Sequence, residues 1–246
     1  MIFGWKSRNG CAIIAIRGCT WLLYFVIMDT STLQKIDFHS HSILSHDGAI
    51  TLTEYTHVLQ KGILDIIAIT DHHTIEYAKK CQEILGEKII IGEEMTTKQG
   101  HLIGLFLTHT IPSGESVGHT IQKIKDQGGL VYVPHAFDVS RKGLGERVLK
   151  NIVQDIDIIE GFNGRIIFRA QNTMAQKFAK QYAKSMATGS DAHCLGGLGS
   201  SYTCITGKVS KVTIQKELPF ATYHFGYQLP QYFLCPTLNK IKKIFT

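Results

Sequence analysis

The sequence lacks the cysteine pattern of a disulfide-stapled secreted domain. Its six cysteines form no CxxC pair and show no regular spacing. A chain of 246 residues, of which 44% are hydrophobic, is long enough to bury a full core without disulfides. We therefore expect reduced cysteines and a cytoplasmic location. Cys194 follows His193 directly and is either a soft metal ligand or, as we favour, a small buried residue.

The sequence also has little excess charge and no long apolar run. Of the formal charge of +6, residues 1–28 supply three basic residues and no acid, so the remainder carries +3 from 23 basic and 20 acidic residues. This excess is too small to indicate a nucleic-acid-binding protein by charge alone. The longest apolar run in residues 1–28 is shorter than the roughly 20 residues that span a bilayer, and we expect no stable membrane association.

Residues 1–28 differ in composition from the rest of the chain. We interpret them as an atypical N-terminal extension, with a signal anchor as the alternative, and predict that residues 29–246 form a single domain. From about residue 35, apolar strand-like segments alternate with amphipathic helical segments roughly seven times. This alternation predicts an α/β fold, a barrel of the βα type.

Two segments allow more detailed predictions. The gap from Glu94 to His101 is too short for a helical crossover, so the strands on either side of it should pair as a hairpin. A helix over residues 166–182 should bury one face. The residues predicted on that face are Ile167, Met174, Phe178 and Tyr182.

Histidines and carboxylates recur where the predicted strands end. If residues 35–41 form a strand, His39 and His41 lie on one face and could hold a metal ion; a solvated, histidine-rich strand end is the alternative. The set of candidate ligands is His39, His41, Asp47, His72, Glu94, His101, His135, Asp191 and His193. Nitrogen and oxygen donors without thiolate suit zinc, manganese or iron(II). Any one of these nine residues could instead be a helix cap or a packed turn residue. To explain all nine in this way, however, would require the same coincidence at the end of almost every strand.

With these motifs, the sequence resembles the polymerase and histidinol phosphatase (PHP) superfamily. The matching segments are DFHSHS with SHDG, AITDHHT, GEEMTTKQGHLIG, VPHAF, IEGFNGR and GSDAH, which cover about residues 35–205 in the family's order. The resemblance implies a distorted seven-stranded TIM-like barrel of PHP type with three divalent metal ions (zinc, manganese or iron). The implied ligands are His39, His41, Glu94 and Asp191 for the first metal, Glu94, His101 and His135 for the second, and Asp47, His72 and His193 for the third.

Several assignments within this set have alternatives. Asp47 is favoured over His46 in the first loop, and the family spacing favours Glu94 over Glu93 as the bridging carboxylate. Two catalytic roles are predicted. Arg165 would bind the phosphate, since its planar fork suits that geometry, with Arg141 and Lys142 as weaker candidates. Asp191 or a metal-bound water would manage the proton of the leaving group.

The resemblance implies a hydrolase that cleaves a phosphate ester. We expect a phosphorylated small metabolite or nucleotide as substrate, attacked by a hydroxide that the metals activate. An exonuclease acting on short oligonucleotides is an alternative, although it calls for a basic groove with exposed aromatic side chains. A second alternative is a metal-binding PHP module without turnover.

Overall fold

The computed structural model describes residues 33–245 in full and, before them, the backbone of three strands. These strands are β1 (Ile2–Lys6), β2 (Cys11–Arg17) and β3 (Leu23–Asp29). They form an antiparallel sheet in the order β1-β2-β3, separate from the sheet that follows. Residues 1–28, predicted to be an extension, thus contain strands. The predicted boundary between residues 28 and 29 falls inside β3, which ends at Asp29.

In the part of the chain that the structure describes, the second sheet has nine strands. They are β4 (Leu33–Asp37), β5 (Ile66–Ile69), β6 (Ile89–Thr96), β7 (His101–Leu105), β8 (Leu130–Val133), β9 (Ile158–Asn163), β10 (Ser185–Gly189), β11 (Tyr202–Thr206) and β12 (Thr222–His224). Their order is β10-β9-β8-β7-β6-β5-β4-β11-β12. The pairs β4–β5, β5–β6, β8–β9 and β9–β10 are parallel.

The sheet curls into a nearly closed barrel. The N–H of Phe38, just after β4, donates to the carbonyl of Thr188 in β10 at 3.3 Å. The N–H of Thr188 in turn donates to the hydroxyl of Thr203 in β11 at 2.9 Å. The barrel class is therefore as predicted, but the sheet has nine strands where seven were expected. The two additional strands are β11, which pairs antiparallel with β4, and β12, which pairs antiparallel with β11.

Residues 33–245 contain seven α-helices. They are α1 (Leu52–Gln60), α2 (Glu76–Leu85), α3 (Val117–Asp126), α4 (Gly145–Ile152), α5 (Ala170–Gln181), α6 (Lys211–Glu217) and α7 (Cys235–Ile244). One apolar cluster packs α1 and α2 against the sheet. Another packs α3, α4 and α5 against it. A third cluster lines the other sheet face, where the rings of Phe38 and Tyr132 stack with centroids 6.2 Å apart. Successive side chains along a strand point to opposite faces of the sheet, so the same strands contribute apolar side chains to the clusters on both faces.

The predicted hairpin is present, whereas one strand and one helix differ from expectation. Strands β6 and β7 pair antiparallel, with Thr96 opposite His101. Strand β4 ends at Asp37, so His39 and His41 lie in the extended segment beyond it. Helix α5 begins at Ala170, and Ile167 therefore lies outside the helix and is 69% exposed. Met174 is also exposed, because the face of α5 that packs on the barrel carries Ala175 and Phe178.

Two of the four cysteines within residues 33–245 are joined. Cys194 and Cys235 form a disulfide across a separation of 41 residues. This corrects the expectation that all cysteines are thiols, and it removes Cys194 as a candidate metal ligand. The pairing could not be read from the spacing, because it depends on α7 folding back onto the loop after His193.

None of the helices in the described part of the chain is both long enough and apolar enough to cross a membrane.

We predict that a chain beginning at Met28 folds with a cooperative thermal transition like that of the full-length protein. The pairing of the nine-stranded sheet begins at Leu33, so its hydrogen bonds should survive the truncation. A chain beginning at Ile36 is the control, because it lacks three of the five residues of β4 and should lose the transition. Circular dichroism melts of the three proteins would test this, and a non-cooperative melt of the Met28 chain would show that the first strands are needed for the fold.

Candidate metal centre

All nine candidate ligands meet at one end of the barrel. Most of them follow the carboxyl ends of strands, as expected of a βα barrel, while Glu94 and His101 come from the β6–β7 hairpin. An isolated parallel bridge joins Ser40 to Ala192, which draws the His39–His41 segment alongside the Asp191–His193 loop. A second bridge places His72 beside Glu94.

Glu94 lies between two groups of histidines. Its Oε1 atom is 2.8 Å from Nδ1 of His101 and 3.0 Å from Nε2 of His135. Its Oε2 atom is 3.3 Å from Nε2 of both His39 and His41. One carboxylate thus presents one oxygen to each group, which is the arrangement a bridging ligand needs.

A further cluster surrounds Asp47. Its Oδ2 atom is 3.4 Å from Nε2 of His193 and 3.7 Å from Nε2 of His72. Ligand atoms of Asp47, His72, His193 and His41 all lie within 4.8 Å of one another. His46 also approaches Asp47, at 3.7 Å, but its side chain is 55% exposed. The structure therefore places Asp47, rather than His46, inside the cluster.

Asp191 connects the histidines to two arginines. Its Oδ1 atom is 3.5 Å from Nε2 of His41, and its Oδ2 atom accepts a short hydrogen bond from Arg141. The Arg165 guanidinium is 3.7 Å from Oδ1. Asp191 itself has a φ of 54°, in the left-handed region that non-glycine residues rarely adopt. Such backbone strain is concentrated at functional sites.

Buried acids support the histidines from behind. Glu160 accepts hydrogen bonds from Nδ1 of His39 at 3.0 Å and from the Tyr132 hydroxyl at 2.9 Å, and also from the backbone N–H of His135. A carboxylate on Nδ1 fixes the ring and leaves Nε2 free to act as a ligand. Gly189 makes this packing possible, because a Cβ there would come within 2.2 Å of Glu160 Oε1.

The charges of the cluster shift the pKa values of its members in opposite directions. Burial disfavours the charged form of His41, but Asp191 and Glu94 outweigh burial and raise the pKa of His41 to about 9. Burial lowers the pKa of His72 to about 3 and, together with the charge of His41, lowers that of His193 to about 4. Burial opposes ionisation of Asp191, but His39 and Arg141 hold its pKa well below the usual range.

Glu93 faces away from the cluster, as strand alternation requires. Its Oε2 atom accepts a hydrogen bond from the N–H of Ile111 at 2.9 Å. Burial raises the pKa of its carboxyl group to about 7. Of the two neighbouring glutamates, Glu94 is thus the one that reaches the histidines.

The donors suit divalent metal ions. Two facing ring nitrogens, Nε2 of His39 and Nε2 of His41, are 3.1 Å apart. Buried Nδ1 atoms of His72, His101 and His135 have no hydrogen-bond partner. Nδ1 of His101 approaches Glu94 without the alignment of a hydrogen bond. In the rings of His72 and His135 it is Nε2, and not the unpartnered Nδ1, that approaches Glu94, at 3.6 and 3.0 Å. Ring nitrogens that converge in this way on a shared carboxylate are typical of metal ligands.

The cluster opens into a cavity of about 380 Å³. Its lining includes Arg141, Lys142 and Arg165, all three of which the sequence indicated. It also includes Lys240 of α7, which sequence reasoning missed because nothing in the C-terminal segment marked it. Glu160 was missed as a supporting residue, although its position directly after the strand predicted over residues 156–159 was a usable signal; in the structure it lies within β9. A larger groove, of about 590 Å³, lies beside α5 and contains none of the candidate ligands.

We predict that Glu94→Gln weakens metal binding in two subsites together. Glutamine keeps the size of the side chain and one oxygen donor but removes the charge that offsets two dications. The loss of affinity should exceed the roughly 10- to 100-fold typical of an outer-shell partner. His101→Ala should release mainly one metal, and Glu93→Gln is the matched control, with little effect. Elemental analysis under equal metal supply would test this, and metal loss in Glu93→Gln but not Glu94→Gln would contradict it.

We also predict that metal affinity rises with pH up to about 9. The metal-free protein holds a proton on His41 below that pH, and a metal must displace it, which costs about tenfold in affinity per pH unit for each proton. His72→Gln should lower the metal affinity without changing the slope of that affinity against pH, because His72 is already neutral above pH 4. His41→Gln should reduce the slope by about one proton. Competition with a chelator between pH 6 and 9 measures the metal affinity and its slope against pH. A wild-type affinity that does not change with pH would refute the assignment of the proton to His41.

Comparison with curated proteins finds two archaeal relatives. The uncharacterized protein MJ1587 of Methanocaldococcus jannaschii is 38% identical over 143 residues, which span 52% of this chain and 81% of that protein. The uncharacterized protein MJ0417 of the same organism is 31% identical over 197 residues, which span 74% of this chain and 73% of that protein.

Family and fold comparisons agree with the motifs. The PHP_C family, described as PHP-associated, matches residues 169–213. A two-domain protein from Bacteroides vulgatus, containing a predicted PHP-like metal-dependent phosphoesterase, superposes with a TM-score of 0.66 at 21% identity. The match covers 85% of this chain and 70% of that one. Together with the barrel and the ordered histidine and carboxylate motifs at its open end, these similarities show that the chain belongs to the PHP superfamily.

Proposed function

We propose that the protein is a metal-dependent phosphoesterase that hydrolyses the phosphate ester of a small metabolite or nucleotide. The observation that carries the proposal is one cluster of nine buried or half-buried ligand-type side chains, seven of which line a cavity together with Arg141 and Arg165. A PHP-like phosphoesterase domain in the Bacteroides vulgatus protein, which has the same fold, supports the same reaction class.

Three metal subsites are proposed. His39, His41, Glu94 and Asp191 would form the first, Glu94, His101 and His135 the second, and Asp47, His72 and His193 the third. Divalent zinc, manganese or iron ions bound there would activate water and stabilise negative charge on the phosphate. Glu94 would hold the first two ions at a set separation through its two oxygens.

Arg165 and Arg141 are proposed to bind the phosphate. Both are largely buried, with 17% and 16% of their side chains exposed. Nε of Arg165 and Nη2 of Arg141 are buried donors without a hydrogen-bond partner. Leaving a buried charged donor unpaired is costly, and a phosphate oxygen would pair with each. Arg141, ranked lower from sequence, is as well placed as Arg165.

Asp191 is proposed as a ligand and an anchor for the arginines. Its strongly lowered pKa means that it carries no proton at neutral pH. It is therefore poorly suited to donate a proton to the leaving group, which was one of its roles predicted from sequence. A metal-bound water, the other proton source predicted from the sequence, would then supply the proton of the leaving group.

The cavity favours a small substrate over a polymer. Its volume of about 380 Å³ lies near the lower end of the range for small-molecule sites. No phenylalanine, tyrosine or tryptophan is among its lining residues in the described part of the chain. Oligonucleotide-binding sites usually offer such rings for base stacking. We also propose a cytoplasmic location, although the Cys194–Cys235 disulfide weighs against a strongly reducing compartment.

A substrate screen tests the proposal. The purified protein, loaded with manganese, zinc or iron, should release inorganic phosphate from at least one of a panel of phosphorylated metabolites and nucleotides. Arg165→Met should lower kcat/KM on that substrate by about 100-fold or more, because a preorganised donor to the reacting phosphate is lost. Arg147→Met, an exposed arginine on α4, is the matched control and should leave the rate unchanged.

The screen includes a short single-stranded oligonucleotide. Hydrolysis of the oligonucleotide alone would favour the exonuclease alternative. Full metal loading without hydrolysis of any phosphate ester would indicate a metal-binding module and refute the proposal.

A further inference from the structure

Helix α7 contacts the backbone of two candidate ligands through one buried asparagine. Nδ2 of Asn239 donates to the carbonyl oxygens of Asp47 and His193, both at 2.9 Å. An amide nitrogen has two donors, and both are used here. The Asp47 and His193 side chains meet on the other side of these carbonyls, at 3.4 Å.

A lysine one turn further along α7 holds the rest of the first ligand loop. Nζ of Lys243 donates to the carbonyls of Ile43, Ser45 and Gly48, at 2.6, 2.5 and 2.8 Å. An ammonium group has three donors, and each reaches a different carbonyl of the loop around Asp47. A charged donor also makes stronger hydrogen bonds than a neutral one.

The helix is fixed in place at its other end. Cys235, its first residue, is bonded to Cys194, which follows His193 directly. Pro236, Thr237 and Lys240 of the same helix line the cavity. Helix α7 is therefore tied to both loops that supply Asp47 and His193, by a covalent bond and by five hydrogen bonds from two side chains.

We propose that Asn239 and Lys243 are positioning residues for the Asp47–His72–His193 subsite, so that α7 completes the third metal site. This inference rests on the proposed metal-dependent function. Metal ligands bind well only when their position is set in advance, and outer partners of ligands are typically worth about 10- to 100-fold in metal affinity. Asp47 and His193 come from distant loops, and α7 joins those loops at the backbone.

A purely structural role for α7 makes a different prediction. If α7 only stabilised the fold, its variants would lower the melting temperature without a selective change in metal affinity. A positioning role requires weaker binding of one metal while the subsites around Glu94 keep theirs, because Asn239 and Lys243 donate their hydrogen bonds to the loops that carry Asp47 and His193.

The test uses the full-length protein with two variants that remove donors. Lys243→Met keeps the aliphatic stem and removes the ammonium, and Asn239→Ala removes the amide. Lys243→Arg should restore function, because the guanidinium also offers several donors. Lys216→Met, an exposed lysine on α6, is the matched control. Metals bound per chain are measured against buffered free manganese, and the visible spectrum of bound cobalt(II) reports the geometry of the sites.

We expect Lys243→Met and Asn239→Ala to bind one of three metals about 10- to 100-fold more weakly and to change the cobalt spectrum, with wild-type behaviour in Lys243→Arg and Lys216→Met. A lower melting temperature with unchanged metal affinity in both donor-removing variants would overturn the inference and leave the proposed function intact. Fewer than three metals in the wild-type protein would overturn the three-metal proposal itself, and the inference with it.

Discussion

The site depends on the compensation of charge within a buried cluster, and Glu94 is at its centre. A carboxylate that is 1% exposed is stable only beside positive charge. In the metal-free protein, protonated histidines supply part of that positive charge. Glu94 and Asp191 favour the protonated form of His41 and raise its pKa to about 9. Divalent ions would supply it more strongly, and the two oxygens of Glu94 already face two separate groups of ring nitrogens.

The barrel holds this cluster together because its strands end where the ligands begin. The parallel strands bring loops from distant parts of the chain to one end, and the β6–β7 hairpin adds Glu94 and His101 from a single turn. Behind the ligands, Glu160 fixes His39, and Asp71 accepts hydrogen bonds from the backbone and hydroxyl of Ser42. These buried acids are satisfied by specific donors, which limits the movement of the histidines.

The two sides of the cavity differ in how their cations are held. Arg141 and Arg165 lie against Asp191, and each has one buried donor without a hydrogen-bond partner. On the other side, α7 brings Lys240 to 3.8 Å from Asp47, and its Asn239 and Lys243 hold the loop beneath. The C-terminal helix is thus part of the site and not only a cover for the barrel.

The sequence by itself determined the fold class, the β6–β7 hairpin and the set of histidines and carboxylates, because period-two alternation and ligand-type residues after apolar strands are local patterns. The resemblance favoured Glu94 over Glu93, and Glu94 is the one of the two that lies among the histidines. Only the tertiary structure decided the nine-stranded closure, the exposure of Met174, the Cys194–Cys235 bond and the contacts of α7. Each of these depends on where a distant segment packs. Lys243 binds a loop some 200 residues earlier in the chain, and no local pattern of residues records such a contact.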